Sequence, residues 1–175
     1  EPASRAAFLE RAGAVAQQAR RAEQAETYYL EAIATFESIG LTHAAARVSA
    51  ALGDVRFFQS GSINEAVARM EEAYEVLRTE EADADLATLA AELGRLHYFK
   101  GEIELAAERV DAALAIAEGL GLPEVTSQAL NTKGIVASAR ARPEEGIALL
   151  SHALTVALAN GRAAGALRAF YDLAE

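Results

Sequence analysis

One small residue recurs at a nearly constant interval along the chain, and this recurrence restricts the possible folds more than any other feature. The positions that carry it, which we call the register glycines, are Gly13, Gly53, Gly94 and Gly134. The intervals between them are nearly equal, and a further step of the same length reaches Ala174. A second set of small residues lies about midway between successive register positions: Ala32, Ala73, Ala113 and Ala153. Coinciding periods of this kind indicate a structural repeat of about 40 residues.

A third set of small residues suggests what the repeat packs against. Ala25, Ala66, Ala106 and Gly146 each lie seven residues before the alanine of the second set, with a larger apolar residue between the two. Glycine inside a helix costs about 1 kcal/mol relative to alanine, so four recurrences at one register require a common reason. We expect another helix backbone to cross each register glycine and leave no room for a Cβ atom.

The composition between these positions is that of helices. Alanine, leucine, glutamate and arginine are abundant, proline occurs only 3 times, and 52% of the residues are hydrophobic. The pattern predicts first helices near residues 3–20, 43–59, 83–100 and 123–140, and second helices near 22–39, 62–79, 102–119 and 143–160, with a ninth from about 163. We therefore expect an all-α fold and a single repeat domain over residues 1–175, with repeats at about 3–40, 43–79, 83–121 and 123–160 and a half-repeat at 163–175.

One segment carries a family resemblance. The stretch AELGRLHYFKGEIELAAERVDAAL, residues 91–114, resembles a tetratricopeptide repeat, with Gly94, Gly101, Ala106 and Ala113 at that family's small positions. His97 stands where the family usually has tyrosine. The resemblance implies a right-handed superhelix, or α-solenoid, of about four antiparallel helix pairs plus a terminal half-repeat. The long period is similar to that of arrays in bacterial signal-transducing ATPases, transcription activators and multidomain nucleotide cyclases.

Charge and composition exclude several classes of function. The net charge of −10 argues against nucleic-acid binding, which needs an excess of lysine and arginine to displace phosphate counterions. The absence of cysteine rules out disulfides and thiolate metal sites. No apolar run is long enough to cross a bilayer, and no signal-peptide pattern is present, so we expect a cytoplasmic protein that does not bind membranes.

Motifs for catalysis are missing as well. The sequence has neither the GxxxxGK[ST] phosphate loop nor a serine in the GxSxG context. His43, His97 and His152 are scattered without a metal-ligand spacing. We therefore expect no catalytic residue, no metal and no cofactor, and the protein is not expected to be an enzyme.

The first helices of such an array are expected to line a concave groove. Counting from the register glycines predicts the following groove residues: Arg47, Asp54, Phe58, Arg95, Tyr98, Phe99, Gln128, Asn131, Arg168 and Tyr171. Arginines, aromatic rings and amides suit peptide recognition, because they supply bidentate contacts and rigid anchors. The alternative for Phe57 and Tyr98 is packing between helices, since both lie four residues after a register glycine.

These features favour a scaffold that binds a protein or peptide, used as a regulatory module cut from a larger bacterial signalling protein. The three groove arginines predict an acidic ligand, such as an acidic peptide or the C-terminus of a polypeptide. One alternative is a small-ligand sensor domain of a transcription regulator or cyclase, and another is a structural module that self-associates through the apolar ends of the array. A competing binding surface is the acidic segment 65–85, which holds eight carboxylates against two arginines.

Overall fold

The fold consists of helices, as the sequence predicts. The computed structural model describes the backbone of residues 1–60 and 63–174 and the side chains of residues 1–56 and 63–174. Within these residues there are nine helices and no strand: α1 (Pro2–Gln18), α2 (Ala22–Ser38), α3 (Thr42–Ser60), α4 (Ile63–Leu77), α5 (Ala84–Phe99), α6 (Ile103–Leu120), α7 (Pro123–Ala139), α8 (Pro143–Ala159) and α9 (Ala163–Ala174). The all-α repeat prediction is confirmed.

The protein divides into two compact units. Unit 1 comprises residues 1–81 with helices α1 to α4, and unit 2 comprises residues 82–175 with helices α5 to α9. In each unit every helix packs against the next helix in sequence. In unit 2 the first helices also touch one another, α5 with α7 and α7 with α9. This additional contact buries side chains of α7 that α6 and α8 do not cover, such as Asn131.

Residues at the helix ends determine where the helices begin and end. The side chain of Asp83 caps α5 by accepting a hydrogen bond from the Leu86 amide at 2.9 Å. The turn after α5 has Gly101 in the left-handed conformation, with φ 79°. The corresponding turn after α7 places Ala141 at φ 59°, a conformation that costs a residue with a Cβ atom about 1–2 kcal/mol. The repeat geometry therefore sets the turn even where the glycine is missing.

The register glycines lie where the two helices of a pair approach most closely. A Cβ atom added to Gly94 would lie 2.5 Å from Val110 Cγ2 and 3.2 Å from the Ala106 carbonyl oxygen. At Gly134 the same atom would lie 2.7 Å from Leu150 Cγ. The contact thus joins a glycine of the first helix to a small residue and a large apolar residue of the second.

Alanine fills much of the interior beside these crossings. Ala106, Ala113 and Ala117 on one face of α6 are fully buried, as are Ala25 and Ala32 on α2. Small side chains allow helices to pack at a short interaxial distance. Burial of apolar surface stabilises the folded state by about 25 cal/mol for each Å² removed from water. No helix in the described residues is both long enough and apolar enough to traverse a lipid bilayer.

The turn between α5 and α6 carries a pH-sensitive contact. Lys100 Nζ lies 2.8 Å from Glu102 Oε1, and Nδ1 of the buried His97 lies 2.6 Å from Glu102 Oε2. Hydrogen bonds from Lys100 first, and then from His97, hold the pKa of Glu102 below its ordinary value of 4.5. The carboxylate therefore stabilises the folded state above that value, and the stabilisation is lost as the pH falls through the lowered pKa.

We expect the stability difference between the wild type and Glu102→Gln to be constant near neutral pH and to shrink as the pH falls below 4.5. Urea unfolding at a series of pH values measures this difference. A difference that grows on acidification would contradict the assigned contact. Glu118→Gln in α6 is a matched control, since Glu118 is exposed.

Candidate partner-binding surfaces

In unit 1, the predicted groove residue Arg47 is already paired. Its Nε and Nη2 atoms each donate to the Glu10 carboxylate at 2.8 Å, which joins α3 to α1. The two side chains are 36% and 24% exposed. A bidentate pair of this kind fixes the guanidinium and balances its charge. Arg47 therefore contributes less positive charge to this surface than its sequence position suggests.

A second polar link lies beside the first and joins three helices. Gln17 Nε2 donates to Asp54 Oδ2 at 2.7 Å, and Tyr29 Oη donates to Gln17 Oε1 at 2.8 Å. Burial raises the pKa of Tyr29 to about 12, and the charges of Glu10 and Asp54 act in the same direction. The phenol thus stays protonated at neutral pH and remains a donor.

A pocket of about 430 Å³ adjoins this network. Its lining includes Gln17, Gln18, Arg20, Ala22 and Val55. Amide and guanidinium groups at an apolar pocket can hold a polar ligand group while the pocket excludes water. Phe58, a predicted groove residue, has its side chain outside the described residues.

In unit 2, Arg95 is likewise paired. Its Nε and Nη2 atoms donate to Glu92 Oε2 at 2.9 and 2.7 Å, and the guanidinium carbon lies 5.7 Å from the centre of the Phe99 ring. Tyr98 meets Phe99 edge-on with ring centres 5.8 Å apart. Phe99 is 56% exposed, whereas Tyr98 is half-buried. Of this group, Phe99 offers the accessible aromatic face.

Asn131 does not lie on the exposed wall of the groove, where we predicted it. We expected an exposed amide on the groove wall, but Asn131 is only 3% exposed and its Nδ2 atom donates to Asp172 Oδ2 at 2.9 Å. The prediction is wrong because α9 packs on α7 and covers this side of it. Asn131 therefore links two first helices and is not available to a ligand.

Two other predicted residues, Gln128 and Arg168, line one pocket between α7 and α9. The pocket has a volume of about 270 Å³, and Ser127, Arg162 and Gly165 also line it. Arg168 is half-buried and has no ion pair with any residue that the structure describes. An unpaired guanidinium beside an amide is a suitable receptor for a carboxylate. Tyr171, on the same helix, is 62% exposed.

Sequence reasoning did not identify the other polar groups of this pocket. Arg162 forms an ion pair with Glu124 at 3.2 Å, and the buried Ser127 donates its hydroxyl to the Ala153 carbonyl at 3.0 Å. Ser127 lies seven residues before Gly134, at a position that is alanine in the three earlier repeats. This departure from the repeat is the sequence feature that could have pointed to the pocket.

The acidic segment 65–85 forms the competing surface. Glu65, Glu72 and Glu75 are exposed on α4, and Glu75 pairs with Arg78 at 2.6 Å. His43 lies 2.9 Å from Glu80 within the same unit. These exposed charges are screened by water and salt, so they keep the surface soluble whether or not a basic partner binds there.

Comparison with known proteins supports the repeat assignment. Residues 4–79 match the model of the tetratricopeptide repeat family. No match to the sequence was found among curated proteins.

Solved structures extend the likeness beyond those residues. BtubC from P. vanneervenii is 22% identical with a TM-score of 0.76 over 92% of this chain, which spans 66% of BtubC. Kinesin light chain-like repeats from Podosopora anserina are 18% identical with a TM-score of 0.73, over 99% of this chain and 85% of theirs. The apo form of RapI is 13% identical with a TM-score of 0.71 over 97% of this chain, which spans 47% of RapI. Repeats of this fold generally serve as scaffolds for protein–protein interaction. Residues 4–79 thus match the tetratricopeptide repeat family, and the chain as a whole shares the fold of these solved repeat structures.

Proposed function

We propose that this protein is a non-catalytic scaffold that binds a protein or peptide, as a regulatory module of a larger bacterial signalling protein. The observation that carries the proposal is the pocket between α7 and α9, where Gln128 lies together with Arg168, which has no ion pair with any described residue. Peptide recognition needs such fixed polar groups beside apolar surface. The tetratricopeptide-like fold is consistent with this role.

The pairing of the arginines determines the expected ligand. Arg47 and Arg95 already bind Glu10 and Glu92, so a ligand would have to displace those carboxylates. Arg168 has no such competitor among the described residues. We therefore place the carboxylate of the partner at Arg168, with Gln128 as a neighbouring hydrogen-bond donor. A free polypeptide C-terminus fits a pocket of about 270 Å³ better than a folded surface does.

Arg168→Ala is expected to weaken binding of a carboxylate-terminated peptide by roughly 10- to 150-fold, since a hydrogen bond to a charged group contributes about 1.5–3 kcal/mol. The measurement is fluorescence polarisation with an array of short peptides, each made with a free C-terminal carboxylate and again with a C-terminal amide. The wild type should prefer the carboxylate forms, and Arg168→Ala should bind the two forms equally.

Arg142→Ala provides the matched control. Arg142 is exposed at the start of α8, where it pairs with Glu145, and it does not line the pocket. This variant should keep the preference of the wild type. A preference that survives in Arg168→Ala would place the binding site elsewhere on the protein.

A second candidate, a small-ligand sensor, is favoured by the pocket in unit 1. Its volume of about 430 Å³ lies within the usual range for small-molecule sites, about 300–1,000 Å³. A compound that raises the melting temperature of the wild type but not of Gln18→Ala would favour this candidate. A compound screen without any such shift would exclude it.

A further inference from the structure

Two large apolar side chains of α1 are exposed at register positions that are buried in every later repeat. Phe8 lies five residues before Gly13 and Val15 lies two residues after it, and they are 70% and 66% exposed. The equivalent side chains of the later repeats are at most 4% exposed: Val48, Leu89 and Ala129 for Phe8, and Val55, Leu96 and Val136 for Val15. Large apolar side chains that are exposed together mark an interaction surface.

The helix that covers these positions elsewhere is the second helix of the preceding pair. In unit 1, Val48 and Val55 of α3 belong to the same apolar cluster as Ala25, Ala32 and Phe36 of α2. In unit 2, α7 packs in turn against α6. Since α1 carries apolar residues at the same register, its exposed face is suited to receive a helix placed as α2 is placed on α3.

These side chains line a groove along α1 and α2, which we call the α1–α2 groove. Its volume is about 470 Å³, and Ala12, Ala16, Ala19 and Tyr28 also line it. The alanines leave room for the side chains of an incoming helix, while Phe8 and Val15 supply apolar contact area. A helix that fits this groove needs apolar residues three or four positions apart on one face.

The charged groups that line the groove are basic. Arg11 and Arg21 line it, and the side chain of neither forms an ion pair with a residue that the structure describes. Glu31, about one turn beyond Tyr28 on α2, is already paired with Arg5 of α1 at 3.7 Å. In a protein with a net charge of −10, the groove thus presents two guanidinium groups without a bound carboxylate.

The joints between helix pairs show which charge a covering helix brings. Glu26 of α2 pairs with Arg56 of α3 at 2.8 Å, and Asp111 of α6 pairs with Lys133 of α7 at 2.7 Å. In both units, therefore, the second helix supplies the carboxylate and the following first helix supplies the cation. Arg11 lies one residue from the register position of Lys133. A helix that covers the groove in this way needs a carboxylate opposite Arg11.

We propose that the α1–α2 groove binds an acidic amphipathic helix of a partner protein, in the position that α2 takes on α3. Apolar residues of the partner helix pack against Phe8 and Val15, and its carboxylates pair with Arg11 and Arg21. This inference goes beyond the proposed function, because it concerns a second surface that receives the side of a helix. The pocket at Arg168 receives the end of a chain and lies in unit 2, so the two sites can be tested separately.

A helix with the sequence of α2 serves as the probe, because it covers the equivalent positions of α3 and carries four glutamates and no lysine or arginine. The peptide AEQAETYYLEAIATFES is held helical by a hydrocarbon staple, since a free helix of this length is only marginally stable in water. A second peptide has glutamine in place of the four glutamates. Fluorescence anisotropy measures the binding of each labelled peptide to the 175-residue protein.

We expect the wild type to bind the acidic peptide about tenfold more tightly than the glutamine peptide, because two exposed ion pairs act together. The double variant Arg11→Gln and Arg21→Gln should bind the two peptides equally, and Phe8→Glu should bind neither. Leu158→Glu and Arg142→Gln are the matched controls at exposed positions of unit 2, and both should bind like the wild type.

Equal binding of the two peptides by the wild type, or no binding of either, would overturn the proposal. Unchanged binding to Phe8→Glu would overturn it as well, because the peptide would then have replaced α2 in its own helix pair. Sedimentation velocity without peptide completes the test. Wild-type dimers that Phe8→Glu abolishes would show that a second copy occupies the groove, which also contradicts the proposal. Circular dichroism of every variant verifies that the helices remain folded.

Discussion

Gly94→Leu is expected to lower the free energy of unfolding by about 3 kcal/mol, at the upper end of what overpacking usually costs. Already the first added atom would lie 2.5 Å from Val110 Cγ2 and 3.2 Å from the backbone oxygen of Ala106. The backbone of α6 cannot move away without disturbing its contacts with α7. For a protein of this length the melting temperature should fall by about 6–12 °C.

Gly119→Leu is the matched control, because Gly119 also lies within α6 but a Cβ atom there meets nothing within 4 Å. That variant should be stabilised by about 0.5–1 kcal/mol, since it removes the helix penalty of glycine. Gly101→Ala, in a turn with φ 79°, should cost less than Gly94→Leu. Equal melting temperatures for Gly94→Leu and the wild type would contradict the packing described for the helix pairs.

Asn131→Ala is expected to lower the free energy of unfolding by about 1–3 kcal/mol. The substitution leaves the half-buried Asp172 carboxylate without the amide donor that now lies 2.9 Å away. A charged acceptor that loses its hydrogen-bond donor in this way destabilises the folded state by most of its desolvation energy. Chemical denaturation of both forms measures the change. Gln128→Ala, less than one helical turn earlier and half-exposed, should change stability by less than about 0.5 kcal/mol. Equal losses in the two variants would show that the bond to Asp172 contributes nothing.

The sequence alone was sufficient to predict the repeat and the helices. Glycines at a constant interval show where two helices meet, since only packing explains the same small residue at the same register. The helix ends could also be anticipated, because Asp83, Pro123 and Gly101 act within one turn of their own position. The helices α5 and α7 begin and end within about one residue of where we placed them.

Contacts between repeats were beyond such reasoning. Arg47 and Glu10 are far apart in the sequence, and the angle at which one helix pair meets the next decides whether they touch. Packing between repeats also buries Asn131 against α9 while it leaves Arg168 at a pocket. Periodicity along a helix defines a face, but it does not define what covers that face. For this reason the predicted set of groove residues mixes paired, buried and accessible side chains.

The measurement that tests the central claim most directly is a nuclear magnetic resonance titration of the isotope-labelled protein with the tightest free-carboxylate peptide of the array. It compares the α7–α9 pocket with the acidic surface of α4 in one experiment. We predict that the largest amide shift changes occur at Ser127, Gln128, Gly165 and Arg168, and that the amidated peptide causes much smaller ones. Shift changes confined to α4, around Glu65, Glu72 and Glu75, would contradict the account.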